Sequence, residues 1–318
     1  MSSSRTHDVL IVGAGISGLS CAHHLSRAGT AVLVLEKSRS LGGRCATRRW
    51  RGHLVDHGAQ YITAATPQFA DVLQKHGGWR TIPNDLFQNT PVRAKDNKAR
   101  LYHPLGNRAL GEFLATGITV LRETTFEKIE KCSDGYTVAG HTARCVVITT
   151  PLPQAENILG LPLGLYEYQP CLTAFCAYPG AFAGRTSDCY AKLITGHDCE
   201  WSACENHKAG RLNTGETVMV YQASADFSRR HLEEPPDIWL PLLRKSIEPL
   251  WELDTTPPLE CWTHRWRYAR VSKPLTQEPT LSPGLFLAGD ALCQSRVESA
   301  WFSGQLKAQA ALKYLSAT

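Results

Sequence analysis

Residues 8–44 read DVLIVGAGISGLSCAHHLSRAGTAVLVLEKSRSLGGR, and this stretch decides the fold of the chain. An apolar run leads into Gly13-Ala14-Gly15-Ile16-Ser17-Gly18, a helix-length segment follows, and a second apolar run ends in Glu36. Gly13 permits a tight turn, Gly15 lets a pyrophosphate approach the backbone, and Gly18 allows the helix to pack closely on the strand. Glu36 is placed to accept hydrogen bonds from the ribose of an adenosine. The pattern therefore predicts a βαβ unit that binds a dinucleotide.

A second motif, Gly42-Gly43-Arg44, separates the candidate cofactors. A nicotinamide dehydrogenase has no need of it, whereas it resembles the motif of the large flavoprotein family that includes glutathione reductase and the amine oxidases. By that resemblance, Arg44 braces the FAD pyrophosphate. The glycines alone bind any dinucleotide, so a simple NAD(P) site is the alternative. No Cys or His lies in a recognisable flavin attachment context, which predicts non-covalent FAD.

The composition bounds the class of protein. At 318 residues the chain exceeds a usual single domain, so two domains are expected, and 43% hydrophobic residues are enough for sizeable cores. The net charge of +5 is mild and its positive residues are mostly scattered, so nucleic acid is not an expected partner. No run of 18 apolar residues occurs and the first eight residues lack a signal-peptide core. We therefore expect a cytoplasmic protein without a membrane partner.

The eleven cysteines fall at irregular positions without a C-x-x-C pair, as expected for free thiols that fill buried sites. One patch is dense in possible zinc ligands: Cys189, His197, Cys199, Cys204 and His207. Their spacings match no standard ligand pattern, and the region is typical of a β-hairpin. No metal site is predicted.

Two later segments return to the nucleotide-binding domain. Residues 145–150 form an apolar run that ends in Thr149-Thr150 and resembles the strand that closes the parallel sheet in this flavoprotein family. Residues 285–291 resemble the family element in which the carboxylate after Gly289, here Asp290, binds the ribityl or pyrophosphate end of FAD. Residues 107–115 predict a short helix, and 119–130 and 136–140 predict strands that pair. By resemblance, the backbone around Phe126 lies against the adenine.

The remaining segments predict a second domain. Strand character appears at 99–104, 172–178, 190–194, 217–223 and 260–268, and residues 237–251 have the apolar spacing of a helix. The predicted fold class is α/β, with a Rossmann-like FAD-binding domain built on a parallel sheet and an α+β substrate domain that contains a mainly antiparallel sheet. The expected bounds are 1–65, 105–155 and 283–318 for the FAD-binding domain, and 66–104 and 156–282 for the substrate domain.

Three further segments narrow the resemblance. Residues 56–63, DHGAQYIT, are similar to a segment of renalases, and residues 262–270, WTHRWRYAR, and 296–305, RVESAWFSGQ, are similar to the C-terminal signature of bacterial renalase-like proteins. Ala291 and Leu292 depart from the pattern, because an aromatic residue often follows Gly-Asp there. The resemblance, together with the nucleotide motifs, implies that the residues holding FAD are Gly13, Gly15, Ser17, Gly18, Glu36, Lys37, Gly43, Arg44, Gly58, Ala59, Gln60, Phe126, Thr150, Gly289, Asp290, Val297 and Glu298.

The alternation of a strand places Trp262, His264, Trp266 and Tyr268 on one face, with Arg265 and Arg267 on the other. This face is able to stack on a flat substrate, or it fills the core under a helix. The catalytic candidates are Tyr61, Trp266, Tyr268 and His264, although His264 fits a structural histidine better than a base. Residues 298–315 predict a long helix whose N-terminal backbone N–H groups, near Val297 and Glu298, stabilise negative charge on the reduced flavin.

By resemblance, the protein is an FAD-dependent oxidase. Renalases take hydride from the 2- or 6-dihydro isomers of NAD(P)H to flavin N5 and yield NAD(P)+, and molecular oxygen then reoxidises the flavin with release of hydrogen peroxide. The expected partners are therefore a nicotinamide dinucleotide and oxygen. Arg48 and Arg49 either meet the phosphates of the substrate or are solvated surface charges. The alternatives are a flavin-dependent amine or other small-molecule oxidase and, in another class, a non-catalytic FAD-binding redox sensor.

Overall fold

The structure is a computed structural model that describes residues 6–82, 99–180, 189–212 and 215–318. Two compact units divide the chain. The first unit comprises Met1–Ala46, Arg108–Glu167 and Val271–Thr318, and the second comprises Thr47–Asn107 and Tyr168–Arg270. These units differ from the expected bounds of the FAD-binding and substrate domains at four segments. Residues 47–65 and 105–107 belong to the second unit, and residues 156–167 and 271–282 belong to the first.

The helices and strands are numbered here in chain order over the described residues. The strands are β1 (Thr6–Val12), β2 (Val32–Leu35), β3 (Thr47–Trp50), β4 (His53–Asp56), β5 (Arg80–Thr81), β6 (Leu101–Tyr102), β7 (Thr119–Leu121), β8 (Glu130–Cys132), β9 (Gly135–Val138), β10 (His141–Ile148), β11 (Glu167–Pro179), β12 (Ala191–Leu193), β13 (Cys199–Cys204), β14 (Glu216–Ala223), β15 (Glu260–Lys273) and β16 (Leu285–Leu287). The α-helices are α1 (Ile16–Arg27), α2 (Pro67–His76), α3 (Ala109–Leu114), α4 (Leu152–Leu159), α5 (Ala225–His231), α6 (Pro236–Ile247) and α7 (Val297–Ala317).

The first unit is built on a seven-stranded sheet in the order β7-β2-β1-β10-β9-β8, with β16 also paired to β10. The pairs of β1 with β2 and β10, of β2 with β7, and of β10 with β16 are all parallel. The central strand β1 carries Val9, Leu10, Ile11 and Val12 without exposure to solvent. This is the apolar run expected of a parallel strand that is covered on both faces, and it confirms the predicted Rossmann-like sheet.

Helix α7 packs against α1 at a point where the two backbones nearly touch. A Cβ atom at Gly304 would lie 2.1 Å from the carbonyl oxygen of Ser17, so only glycine fits there. The hydroxyl of Ser20 donates to the carbonyl oxygen of Trp301 at 2.8 Å. The start of α1, which carries the glycine motif, is thereby fixed against the C-terminal helix.

The second unit is built on a five-stranded sheet in the order β12-β13-β14-β11-β15. Strands β12, β13, β14 and β11 pair antiparallel, as predicted for the substrate domain, and residues 189–207 include the predicted hairpin. Trp239, Leu243 and Ile247 of α6 are buried in one core cluster with residues from one face of this sheet. The predicted helix over 237–251 is confirmed as α6, which a 3₁₀ turn at Glu248–Trp251 follows.

The structure differs from the predicted strands between residues 119 and 140. The strand expected over 119–130 is shorter in the structure, where only β7 forms and pairs with β2. The strand ends early because Glu123 has a positive φ of 54° and the chain turns away from the sheet. The partner of β9 is β8, residues 130–132. The strand expected over 136–140 ends at Val138, since Ala139 and Gly140, with φ of 49° and 78°, form the two-residue turn into β10.

Across the described residues, the helices are all too short or too polar to cross a membrane.

Candidate functional site

The glycines of the first motif have distinct surroundings. Gly13 has φ 101°, and a Cβ atom there would lie 2.9 Å from Thr149 Oγ1. A Cβ atom on Gly18 would lie 2.0 Å from the carbonyl oxygen of Gly13, which explains the close passage of helix and strand. By contrast, a Cβ atom on Gly15 would have no neighbour within 4 Å. Gly15 therefore faces open space at the start of α1, where a phosphate group has room to approach.

Polar groups beside this space lack partners in the described part of the chain. Helix α1 begins after Gly15 without a side-chain cap, so its first N–H groups are available to an anion. The hydroxyl oxygens of Ser17 and Thr150 are buried and have no hydrogen-bond partner among the described residues. Buried polar atoms are normally paired. A dinucleotide pyrophosphate, rich in acceptor oxygens, suits these donors.

Glu36 follows β2 and is held beside the glycine loop. The backbone N–H groups of Ala14 and Ser38 donate to its two carboxylate oxygens, each at 2.7 Å. The backbone N–H of Thr124 donates to the carbonyl oxygen of Glu36 at 3.0 Å, so the segment that leads to Phe126 begins next to this acid. The carboxylate is thus oriented, and it keeps lone pairs for the hydroxyls of a ribose.

The Gly42-Gly43-Arg44 motif packs on the glycine loop. The N–H of Gly42 donates to the carbonyl oxygen of Ala14 at 2.9 Å, and a Cβ atom on Gly43 would lie 3.1 Å from the Cα of Gly15. The two motifs that sequence reasoning treated separately therefore form one surface.

Arg44 and Asp290 come together as an ion pair. The Arg44 guanidinium donates to both carboxylate oxygens of Asp290, at 2.6 and 2.9 Å, and Ser295 Oγ donates to one of them at 3.1 Å. Asp290 is buried and Arg44 is partly exposed. The neighbouring Gly289 donates its N–H to Ser303 Oγ of α7 at 2.9 Å. Arg44 and Asp290 thus lie side by side, and their role toward FAD stays a prediction.

Helix α7 starts at Val297, after Arg296, and no side-chain hydrogen bond caps it. Glu298 lies in its first turn and is buried. The predicted helix start at this position is confirmed. The role of its N–H groups toward the pyrimidine edge of a flavin stays a prediction.

In the second unit, residues 58–60 are held by backbone contacts. Gln60 Nε2 donates to the carbonyl oxygens of Asp56 and Gly58 at 2.6 and 3.3 Å. Gln222 Nε2 donates to the carbonyl oxygen of Gly58 at 2.9 Å, and Asn107 Nδ2 to that of Ala59 at 3.0 Å. The Oε1 atom of Gln60 is buried and has no partner among the described residues. These contacts hold the backbone of residues 58–60, and Gln60 Oε1 remains a buried acceptor.

A cluster of buried charges, which sequence reasoning missed, supports the same segment. Asp56 accepts hydrogen bonds from Thr47 Oγ1 at 2.6 Å, Lys208 Nζ at 3.1 Å and the guanidinium of Arg211. Lys208 also lies 2.6 Å from Glu205. The charged side chains of Asp56, Glu205, Lys208 and Arg211 are all fully buried. In the sequence Asp56 lies about 150 positions before Lys208 and Arg211, so no local pattern joins it to the other members of the cluster.

The pKa values of the two acids of this cluster are shifted in opposite directions. Burial disfavours the charge on Asp56, yet the Arg211 and Lys208 cations outweigh it and hold the pKa of Asp56 below its ordinary value. Burial dominates at Glu205 and raises its pKa, although Lys208 and Arg211 oppose the effect. Asp56 is therefore the firmly ionised member of the pair.

Strand β15 carries the predicted aromatic face. His264 lies 5.7 Å from Trp262 and 4.2 Å from Trp266 between ring centroids, so the alternation is confirmed. His57, which was not predicted as a site residue, contacts all three rings at 5.1 to 5.6 Å. The Trp266 Nε1–H donates to the backbone carbonyl oxygen of His57 at 2.9 Å. We call Trp262, His264, Trp266 and His57 the aromatic face.

Both histidines of the aromatic face are neutral at neutral pH. Burial, followed by the electrostatic interaction with the His264 ring, lowers the pKa of His57 to about 3. Burial, followed by Arg48, lowers the pKa of His264. The guanidinium carbon of Arg48 lies 4.5 Å from the ring centroid of Trp262. The aromatic face therefore combines uncharged rings with one adjacent cation.

The other predicted catalytic residues lie elsewhere in the second unit. Tyr61 contacts Trp201 at 5.8 Å and lies under the guanidinium of Arg100, and Tyr268 contacts Tyr168 at 5.5 Å. Arg265 and Arg267 point to the other side of the strand, where both pair with Glu233. Arg48, Arg49 and Lys37 are exposed, and Phe126 is half-buried.

The described residues contain no group of three or more His, Cys, Asp and Glu side chains arranged to hold a metal ion. Cys189, Cys199 and Cys204 from the weighed zinc patch are buried in the core cluster under α6.

Comparison with known proteins decides the family. The family described as "Flavin containing amine oxidoreductase" matches residues 92–312, more than half of the chain. The chain belongs to this family. A second family, "NAD(P)-binding Rossmann-like domain", matches residues 11–75. Membership of this family indicates that the cofactor is non-covalently bound FAD.

Individual relatives match shorter stretches. A Drosophila melanogaster protein named "Possible lysine-specific histone demethylase 1" is 37% identical over 90 residues, which are 28% of this chain and 10% of that protein. Polyamine oxidase 1 of Oryza sativa subsp. japonica is 46% identical over 94 residues, which are 27% of this chain and 18% of the relative. The matches thus span less than a fifth of the length of these relatives.

A wild-type putrescine oxidase bound to putrescine has the same fold. The match covers 97% of this chain and 99% of the other, with a TM-score of 0.73 at 14% identity. At this identity the likeness establishes the fold alone, and it confirms the α/β class with a separate antiparallel sheet.

Proposed function

We propose that the protein is a renalase-like oxidase that converts the 2- or 6-dihydro isomers of NAD(P)H to NAD(P)+. The observation that carries the proposal is the aromatic face, with its low-pKa histidines. When bound, FAD supplies the hydride acceptor at N5 and the transfer of electrons to oxygen, which releases hydrogen peroxide. The residues that fit FAD are the glycine loop with Ser17 and Thr150, Glu36, and the pair of Arg44 and Asp290.

The chemistry of the substrate suits this face. A dihydronicotinamide becomes aromatic when it loses hydride, so the reaction needs no general base. What the protein must supply is a planar, oriented surface. His57 and His264 are neutral, and Trp262 and Trp266 offer flat rings. Such a surface orients the substrate without abstracting a proton from it.

The charge next to the aromatic face also favours a dinucleotide. Arg48 lies over Trp262, where it attracts an anion and repels an ammonium ion. The two phosphates of a dinucleotide are suitable anions. This interpretation takes up the phosphate role that the sequence left open for Arg48, and it assigns none to Arg49.

Anaerobic stopped-flow spectroscopy tests the proposal. The FAD-loaded protein is mixed with equilibrated NADH or NADPH, which contains small amounts of the 2- and 6-dihydro isomers, and flavin absorbance is followed. We expect rapid bleaching that is stoichiometric with the minor isomers and insensitive to added amines. Absence of bleaching by these isomers contradicts the proposal.

A matched pair of variants links the activity to the aromatic face. Trp266→Leu removes a ring of the face, whereas Arg267→Ala removes a side chain that pairs with Glu233 on the other side of the same strand. We expect Trp266→Leu to lower the rate constant of bleaching by about a hundredfold, because a reactant that is misplaced by about 1 Å reacts more slowly by about this factor. Arg267→Ala should stay within about twofold, in line with a surface pair. Equal effects of the two would exclude the face as the substrate surface.

Amine oxidation is the second candidate. It is favoured by the family and by the likeness to polyamine oxidase 1. Bleaching by amines alone in the same experiment would establish it. A flavin that neither class of compound reduces would instead support the redox-sensor alternative.

A further inference from the structure

Two cysteines of neighbouring strands lie in sulfur contact. Cys176 of β11 and Cys261 of β15 have their Sγ atoms 2.8 Å apart. A disulfide bond is about 2.05 Å long, so closing it requires a movement of less than about 1 Å. Other thiols of the sheet have different partners, as shown by Cys171, whose Sγ contacts backbone oxygens and Thr173.

The two thiols differ in access. Cys176 is fully buried, and burial together with its Cys261 neighbour raises its pKa well above the ordinary value. Cys261 is partly exposed. The hydrogen bond with Cys176 lowers the pKa of Cys261, a direction that the nearby Arg244 cation supports and burial opposes. Cys261 is therefore the accessible nucleophile, and Cys176 lies behind it as a resolving thiol.

The pair lies directly behind the aromatic face. Cys176 follows Phe175 and Cys261 precedes Trp262, and the rings of Phe175 and Trp262 stack with centroids 4.7 Å apart. Side chains alternate along a strand, so the rings lie on one face of the sheet and the thiols on the other. Accordingly, the thiols contact the core cluster under α6, and the rings belong to a separate cluster.

We propose that Cys176 and Cys261 are a modification site, at which a hydroperoxide forms a disulfide between β11 and β15. The Cys261 sulfur attacks the peroxide, the O–O bond breaks, and a sulfenic acid forms as water or an alcohol leaves. The Cys176 sulfur then attacks the Cys261 sulfur, the S–S bond forms, the S–O bond breaks, and water leaves. In sum, two thiols lose two electrons and two protons, and the hydroperoxide is reduced by two electrons.

Peptide mapping tests the site without reference to the substrate of the enzyme. The full-length FAD-loaded protein is titrated with hydrogen peroxide, alkylated, digested without reduction, and analysed by mass spectrometry. We expect one dominant crosslinked peptide that joins Cys176 to Cys261 and disappears on reduction with dithiothreitol. A wild-type map that lacks this peptide at every peroxide dose overturns the proposal, whether other cysteines are oxidised or not.

Two variants sharpen the test. Cys261→Ser should abolish the crosslink, whereas Cys293→Ser, at an exposed cysteine of the first unit, should leave it unchanged. Since a disulfide across a long loop restricts the unfolded chain, oxidation should raise the Tm of the wild type by about 5 °C, and dithiothreitol should reverse the rise. An equal rise in Cys261→Ser contradicts the assignment. The wild-type peptide map decides the question independently of how either variant folds.

Discussion

The carboxylate of Asp290 accepts three hydrogen bonds in the first unit, two from Arg44 and one from Ser295. If this pair supports the FAD pyrophosphate, Asp290→Asn removes the charge that orients Arg44, and the Kd for FAD should rise by about tenfold to a hundredfold, or about 1.4 to 2.8 kcal/mol. Titration of the apoprotein with FAD, followed by flavin fluorescence, measures the change.

Arg39→Gln is the matched control for Asp290→Asn. Arg39 pairs with Glu123 in the same unit, but both side chains are largely exposed. Exposed pairs contribute little, so FAD affinity should not change. The assignment of Asp290 fails if its variant binds FAD as tightly as this control.

His57 makes stability depend on pH. Its folded-state pKa of about 3 lies below the ordinary value of 6.5, so below pH 6.5 the unfolded chain binds a proton that the folded protein does not. The resulting stability is complete above pH 6.5 and is lost as the pH falls toward 3, by about 1.4 kcal/mol per pH unit. We expect His57→Gln to flatten this decline, so that urea unfolding at pH 7.5 and 4.5 differs less than in the wild type.

His264 allows a second test of the same pH dependence of stability. Its pKa is also lowered, so His264→Gln should flatten the decline in the same direction. A wild-type decline that neither variant reduces would show that the histidines of the aromatic face do not remain neutral.

At the residue scale, the sequence identified groups whose role follows from local spacing. Gly13, Gly15, Gly18 and Glu36 lie within one βαβ unit, and the structure places them as their spacing predicts. His57 was missed although it lies in a quoted segment, because only the fold shows that it contacts three rings of β15. A side chain whose contacts are all distant in sequence leaves no periodic signal.

At the scale of elements, the contact between α1 and α7 sets a strict limit on residue size. Gly304→Val would place new carbon atoms against the carbonyl oxygen of Ser17, 2.1 Å from the Cβ position. The helices must move apart, and overpacking of this kind costs about 1–3 kcal/mol or more. Thermal unfolding should show a lower Tm for the variant.

Gln309→Ala tests whether the effect is specific to that contact. Gln309 is exposed on the same helix, and alanine is a good helix former. Its Tm should stay close to that of the wild type. If Gly304→Val were equally stable, the two helices could not lie as close as the structure shows.

Elements with a strong period were predicted well, whereas their ends were not. Helix α6 and the central strands β1 and β10 follow the apolar runs of the sequence. Residues 119–130 have strand-like composition, but their chain leaves the sheet after Leu121 at the positive φ of Glu123. A backbone turn at a non-glycine residue has no sequence signal, so this boundary required the structure.

At the scale of the whole molecule, both units are assembled from separate segments of the chain. In the second unit, the buried charge cluster joins the hairpin of β3 and β4 to residues 205–211. Asp56→Asn would leave Lys208 and Arg211 buried with a single carboxylate, Glu205. Breaking a buried pair in this way costs about 3–5 kcal/mol, which urea unfolding should detect.

Glu233→Gln provides the comparison for that loss. Glu233 pairs with Arg265 and Arg267, but it is exposed. We expect its unfolding free energy to fall by less than about 1 kcal/mol. Similar losses in both variants would mean that the cluster contributes no more than a surface pair.

The fold class followed from the order of the motifs, because a nucleotide-binding βαβ unit, an interrupted return to its sheet and an intervening run of strands allow few arrangements. The exact division of the chain into the two units could not be predicted from the sequence. Residues 47–65 continue directly from the glycine motifs, yet β3 and β4 pair with each other and are tied to Asn107 and Arg211. Those ties are made by single buried side chains, which composition does not reveal.

The position of α7 has a consequence for biosynthesis. A ribosome makes α1 early and α7 some 280 residues later, after every strand assigned to the second unit. The second unit is therefore able to fold while α1 and its sheet still await their covering helix and Asp290. In the growing chain, the face of α1 that contacts α7 stays uncovered until α7 has been made, so we expect FAD to bind only after the second unit is complete.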